Sequence, residues 1–196
     1  MNLIAQIISI LSNPAVLSIP ASYALVFRTS GDALYSAVWT VVSLIFTGAI
    51  VIYVLYGIGK GIFSDFDVSV REERKPLFIF TAVIAVLYLL VIFFLNGPKI
   101  LMVTLGALLL GVFMDSIINK RIKASVHLAV FTSFSLVLAI LFGGAFWIFP
   151  VFAPIVAWSR IKLKRHRLSE TVIGTLIGVF LVIVIYLVVQ YLLGIK

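Results

Sequence analysis

A chain of 196 residues that is 63% hydrophobic, with a mean hydropathy of +1.27 and only 11% charged residues, is excluded from the soluble globular class. A net charge of +8 would point a soluble chain toward nucleic acid; in so apolar a chain the excess Lys and Arg instead orient the protein in a bilayer and meet anionic headgroups or phosphates, so no nucleic-acid partner is expected. The absence of cysteine removes disulfides, thiolate metal sites and thiol nucleophiles.

The fold class that follows is all-α: a polytopic helical membrane protein with six to seven transmembrane segments in one bundle, because a helix satisfies its own backbone inside hydrocarbon. The opening Met-Asn-Leu-Ile has no basic leader, so no removable signal peptide is expected. No repeat, long linker or low-complexity tract interrupts the chain, and residues 1–196 read as a single integral membrane domain. Within it, 1–30 is a kinked span or an interfacial helix followed by a short one, since Leu11-Ser12-Asn13-Pro14 and Pro20 interrupt an uncharged run. Residues 33–195 form the main helical bundle.

Ala33 to Gly59 is uncharged over 27 residues and makes the second span. Its end, Gly57-Ile58-Gly59-Lys60-Gly61, has glycines that can cradle a phosphate, but no strand precedes them and a helix terminus is the simpler reading. A first polar island, Ser64 to Pro76, holds four of the seven acids. Leu77 to Leu95 is the third span, Asn96-Gly97-Pro98-Lys99 a turn, and Ile100 to about Ile118 the fourth span, with Asp115 near its end.

The second island runs from Asn119 to His127 and includes Lys120, Arg121 and Lys123. The 36 residues from Ala124 to Ser159 contain no Lys, Arg, Asp or Glu. That is too long for one helix across ~30 Å of hydrocarbon at ~1.5 Å per residue. Gly143-Gly144, Pro150 and Pro154 supply a turn, which predicts two short spans at about 125–144 and 147–159. The third island, Ser159 to Glu170, carries five of the fifteen Lys and Arg residues. Thr171 to Ile195 closes the chain as a last span, with Gly174 and Gly178 spaced for close helix packing.

Two spans separate each island from the next, so parity predicts that all three share one membrane face. That face would hold twelve of the fifteen Lys and Arg residues, against Arg28, Lys99 and Lys196 on the other. The charge rule then makes it cytoplasmic, and a prokaryotic cell membrane is the expected location.

Together the islands bring two histidines, a Glu four residues after one of them and many cations to one face, a set suited to phosphoryl transfer. A neutral imidazole can attack phosphorus, a carboxylate can hold that imidazole in the right tautomer, and a second histidine can protonate the leaving oxygen. Guanidinium groups and helix N-termini can stabilise the equatorial oxygens.

These residues resemble the type 2 phosphatidic acid phosphatase superfamily. Ser159-Arg160, five residues, His166, three residues, Glu170 is similar to its third motif, which ends in Asp rather than Glu. Ala124-Ser125-Val126-His127 resembles its second motif, Pro-Ser-Gly-His, with alanine for proline and valine for glycine. Arg71 to Pro76 looks like a degenerate first motif, a lysine, six residues and Arg-Pro; Lys75 precedes Pro76 here, and Val68 stands where the lysine would be.

The resemblance implies a metal-independent phosphatase without cofactors that hydrolyses a phosphate or diphosphate on a lipid through a phosphohistidine. Polyprenyl diphosphate, phosphatidate and phosphatidylglycerophosphate are the candidate substrates, and membrane lipids the surrounding partners. By the same analogy His166 is the nucleophile, Glu170 its orienting partner and His127 the general acid. Arg160, Ser125, Arg71, Arg74 and Lys75 would bind the substrate phosphate.

Plainer readings of the same residues exist. His166 could be a solvated loop residue, Ser125 an ordinary N-cap, Ser169-Glu170 a favourable helix start, and Lys120-Arg121-Ile122-Lys123 a headgroup-binding or topological cluster. A transporter or anionic-lipid-binding protein is the rival from a different class. Asp65, Asp67, Glu72 and Glu73 raise a third reading, a metal-dependent membrane prenyltransferase.

Overall fold

The structure, a computed structural model, describes residues 3–193; Met1, Asn2 and residues 194–196, which include the end of the last expected span and Lys196, lie outside the described residues. The described residues form eight α-helices and one 3-10 helix joined by turns and loops, with no strand among them. They are α1 (Leu3–Leu11), α2 (Pro14–Ser30), α3 (Ala33–Gly59), α4 (Arg74–Phe94), α5 (Lys99–Ile118), α6 (Val126–Phe142), a 3-10 helix (Gly144–Phe152), α7 (Ala153–Lys162) and α8 (Leu168–Leu193).

Five segments are long and apolar enough to cross a membrane: α3, α4, α5, the 3-10 helix with α7, and α8. The pair α1 and α2, bent by 43° at the expected break, makes up to a sixth. Helix α6, with 17 residues, is shorter. Large apolar side chains such as Leu34, Phe94 and Ile52 point outward while serines and threonines turn in, the reverse of a water-soluble bundle.

By its contacts the chain divides into two compact units, Met1–Leu17 with Lys120–Lys196 and Ser18–Asn119. In the Ser18–Asn119 unit, Asp32 starts α3 by accepting the Tyr35 N–H at 3.0 Å. Helices α3 and α4 are joined by a 2.6 Å hydrogen bond between the Ser43 and Tyr88 hydroxyls and by stacking of Phe46 on Tyr88 and Tyr53 on Phe80. The α4–α5 turn needs Gly97, because a Cβ there would run into the Trp39 indole.

Helix α3 ends as its glycines suggest. Gly61 takes a φ of +72°, and the Ile62 N–H returns to the Gly57 carbonyl at 2.8 Å, a Schellman closure. Below it Phe63 and Val68 bury against Val54, which folds the first island onto the end of the helix pair. Helix α4 begins at Arg74, three residues before the expected Leu77, so Arg74 and Lys75 occupy its first turn. Its Pro76 sits where a missing N–H costs no helical bond.

In the other unit the long uncharged segment goes out and comes back. Helix α6 runs to Gly143 and Gly144, whose φ values of +65° and +51° make the turn. The 3-10 helix and α7 return the chain, and Lys123 at the start of the segment donates to the Arg165 carbonyl beyond its end at 2.7 Å. Helix α8 then packs on α6 through the two spaced glycines. A Cβ on Gly174 would strike the Ser125 carbonyl and one on Gly178 the Ala129 carbonyl, so backbone meets backbone there.

Candidate active site

The third island is shaped by the end of α7. The Arg165 N–H donates to the Arg160 carbonyl at 3.0 Å and the Lys164 N–H to the Ile161 carbonyl at 2.9 Å, with Lys164 at a φ of +57°. These are the two bonds of a Schellman motif, with lysine in the left-handed position that usually belongs to glycine. The His166 N–H also reaches the Arg160 carbonyl, at 3.3 Å. The turn thus brings the His166 backbone back to the last turn of the helix that carries Arg160.

His166 is buried, and its Nδ1–H donates to Glu170 Oε2 at 2.8 Å. Glu170 sits in the first turn of α8 and accepts the Arg167 N–H with the same oxygen, at 3.2 Å. That second bond is half of a capping box, so the carboxylate both starts the helix and fixes the imidazole. With Nδ1 engaged as donor, the lone pair of the neutral ring lies on Nε2.

The second island meets the third through the backbone: the Ser125 N–H donates to the Glu170 carbonyl at 3.0 Å. The N-termini of α6 and α8 therefore lie side by side, and each contributes partial positive charge. Ser125 is the N-cap of α6, yet its hydroxyl makes no capping bond. It is fully buried and has no hydrogen-bond partner among the described residues, as is the Ser159 hydroxyl next to Arg160. A buried hydroxyl left this way costs about 1–3 kcal/mol. His127 is buried in the first turn of α6.

Arg160 is only 1% exposed, and its Nη1 donates to the Ser9 hydroxyl of α1. A guanidinium this deep in an apolar bundle is expensive unless several groups receive it.

The cations of the first island lie in the Ser18–Asn119 unit. Arg74 is buried, donates from Nε to the Val68 carbonyl at 3.1 Å, and lies within electrostatic range of Asp115 on α5. Val68 itself has a φ of +45°, a strained value for a β-branched residue. Arg71 is exposed and pairs with Glu72 at 3.2 Å, while its carbonyl accepts from Asn119 at 3.0 Å. A backbone hydrogen bond first, and the Arg71 guanidinium beside it, hold the exposed Glu72 carboxyl below the usual carboxylate range. Lys75 is exposed. Glu73 accepts from the Ser64 N–H at 2.8 Å and from the Ser64 hydroxyl. Asp65 accepts from the Asp67 N–H at 2.9 Å and from the Ser69 hydroxyl at 3.1 Å, so Asp65, Glu72 and Glu73 are all tied into the loop itself, and among the described residues no three His, Asp or Glu side chains gather as a metal-holding group.

Three residues at the site escaped the sequence reading. Ser9 lay in an uncharged helix; the only hint was small residues, Ala5, Ser9 and Ser12, along one side of a Leu/Ile-rich segment. Lys123 read as a topological charge but holds the Arg165 carbonyl. Ser159 stands beside Arg160 in the quoted motif, and only its burial draws notice.

No family model, curated protein or solved structure matches this chain.

Proposed function

We propose that the chain is an integral membrane phosphatase that hydrolyses a phosphate or diphosphate monoester on a lipid through a phosphohistidine at His166. The observation that carries the reading is the buried His166–Glu170 pair at 2.8 Å, whose carboxylate-bearing residue is bonded through its carbonyl to Ser125 of the second island. A solvated loop histidine has no need of such a fixed tautomer.

In the first step Nε2 of His166 attacks phosphorus. A P–N bond forms as the P–O bond to the leaving group breaks, the lipid alcohol of a monophosphate or the lipid monophosphate of a diphosphate, and the leaving oxygen takes a proton from protonated His127. The imidazolium character that develops on the phosphorylated ring is stabilised by Glu170. In the second step water attacks the phosphohistidine while His127 accepts its proton, which releases inorganic phosphate and restores both imidazoles.

Arg160, the Ser125 and Ser159 hydroxyls and the paired helix N-termini receive the phosphoryl oxygens. Each orphan hydroxyl gains a partner in that role. The apolar outer surface keeps the lipid tail in the bilayer while its headgroup reaches the island. Arg71, Arg74 and Lys75 remain proposed phosphate contacts by resemblance, tested by the KM of Arg71→Gln and Lys75→Gln. The face is proposed as cytoplasmic, from the distribution of Lys and Arg.

The test is phosphate release from polyprenyl diphosphate, phosphatidate and phosphatidylglycerophosphate by the purified full chain, with a chelator present and His166→Ala as control. Release by the native chain and its loss in the variant is the expected result. Release that persists in the folded variant removes His166 as nucleophile, and no release from any of the lipids returns the chain to the transporter or lipid-binding reading.

A further inference from the structure

Helix α1 carries no charge and no part of the motifs, yet it supplies a polar contact to the deepest cation of the site. Its Leu3, Ile4, Ile7, Ile10 and Leu11 point outward, while Ala5 and Ser9, with Ser12 just past its end, are buried, and it packs against α7. Small side chains on the inner face let the two helices approach closely. At that contact the Ser9 hydroxyl accepts from Nη1 of Arg160, across 151 positions of sequence.

We propose that Ser9 is a positioning residue for phosphoryl transfer, one that aims the Arg160 guanidinium at the phosphate; the inference rests on the phosphatase reading above. The Arg160 side chain has four rotatable bonds, and its burial fixes depth better than direction. The Ser9 hydroxyl on Nη1 is one of the contacts that set the plane of the guanidinium fork, which matters most where two parallel N–H groups must meet two phosphoryl oxygens. Such an interaction is felt most strongly when charge spreads over those oxygens in the transition state. Removing it therefore lowers kcat more than it raises KM.

Ser12 provides the matched control. It lies on the same face of the chain, is 2% exposed, and its hydroxyl donates to the Ile8 carbonyl at 2.8 Å, a bond internal to the α1 region. The experiment measures kcat and KM for phosphate release from a lipid phosphate in mixed micelles for the native chain, Ser9→Ala, Ser9→Thr, Ser12→Ala and His166→Ala. With the native chain active and His166→Ala inactive, the expected result is a fall of about tenfold in kcat for Ser9→Ala with KM within about twofold. Ser9→Thr, which keeps the hydroxyl, recovers most of the rate, and Ser12→Ala matches the native chain.

A kcat for Ser9→Ala within about twofold of native overturns the positioning role and leaves the phosphatase reading intact. A fall that Ser12→Ala reproduces, or that Ser9→Thr does not recover, assigns Ser9 to packing alone and also overturns it. A native chain without phosphate release, or one whose His166→Ala variant is fully active, overturns the underlying reading and this inference with it.

Discussion

The third island and the first island are alike as strings of residues and unlike as structures. Each is a short run rich in Arg and Lys, placed before a long apolar helix, with a glutamate beside the helix start and a non-glycine residue in the left-handed region, Lys164 in one and Val68 in the other. In the third island the glutamate turns inward to a buried histidine. In the first it turns back to Ser64 of its own loop, and the adjoining Arg71–Glu72 pair stays exposed. Charge density alone therefore does not tell the two apart; what separates them is a carboxylate committed to a buried imidazole.

The sharpest way to break that comparison is to neutralise both glutamates. Glu170→Gln is expected to lower the rate of phosphate release by about 100-fold, because the amide cannot hold the imidazole in the same tautomer or stabilise its charge. Glu73→Gln is expected to change the rate by less than about twofold, since its contacts are to a loop serine. Initial rates on one lipid phosphate decide between them, and equal losses would erase the distinction.

A stability pair comes next. Gly174→Ala places a methyl group on the Ser125 carbonyl and is expected to destabilise by about 1–3 kcal/mol. Gly106→Ala in α5, where a Cβ meets nothing within 4 Å, is expected to stabilise by up to ~1 kcal/mol. Thermal melts of the two variants in detergent should shift in opposite directions.

The two left-handed residues give a smaller contrast. Lys164 is exposed, so Lys164→Gly relieves a backbone cost of about 1 kcal/mol and raises the melting temperature. Val68→Gly gains the same relief but gives up a buried side chain worth about 1.5–3 kcal/mol, so it should melt lower. The smallest effect belongs to Arg71→Gln, which breaks an exposed ion pair and is expected to change stability by less than about 0.5 kcal/mol.

Much of this was legible in the sequence where the signal is local or set by length. The excess length of the uncharged Ala124–Ser159 segment and its Gly and Pro residues pointed to the turn at Gly143-Gly144, although α6 is shorter than the span expected there, and the spacing of Gly174 and Gly178 pointed to close helix packing without saying which helix they meet. His166 and Glu170, four apart and flanking the start of α8, could be paired on paper. The Arg160–Ser9 contact could not, because nothing in the spacing of residues 151 positions apart records it. The left-handed Lys164 was equally hidden: glycine advertises that conformation and lysine does not. The start of α4 at Arg74 was missed because charged residues were read as loop, although a first helical turn accepts them readily once the chain leaves the apolar layer.

The most direct measurement is to trap the phosphoenzyme: incubate the full chain with a lipid phosphate labelled in its phosphoryl group, quench rapidly, and map the label. The account predicts an acid-labile, alkali-stable phosphoryl group on His166 that is absent from His166→Ala. A label on any other residue, or steady phosphate release with no labelled chain at any quench time, would contradict it.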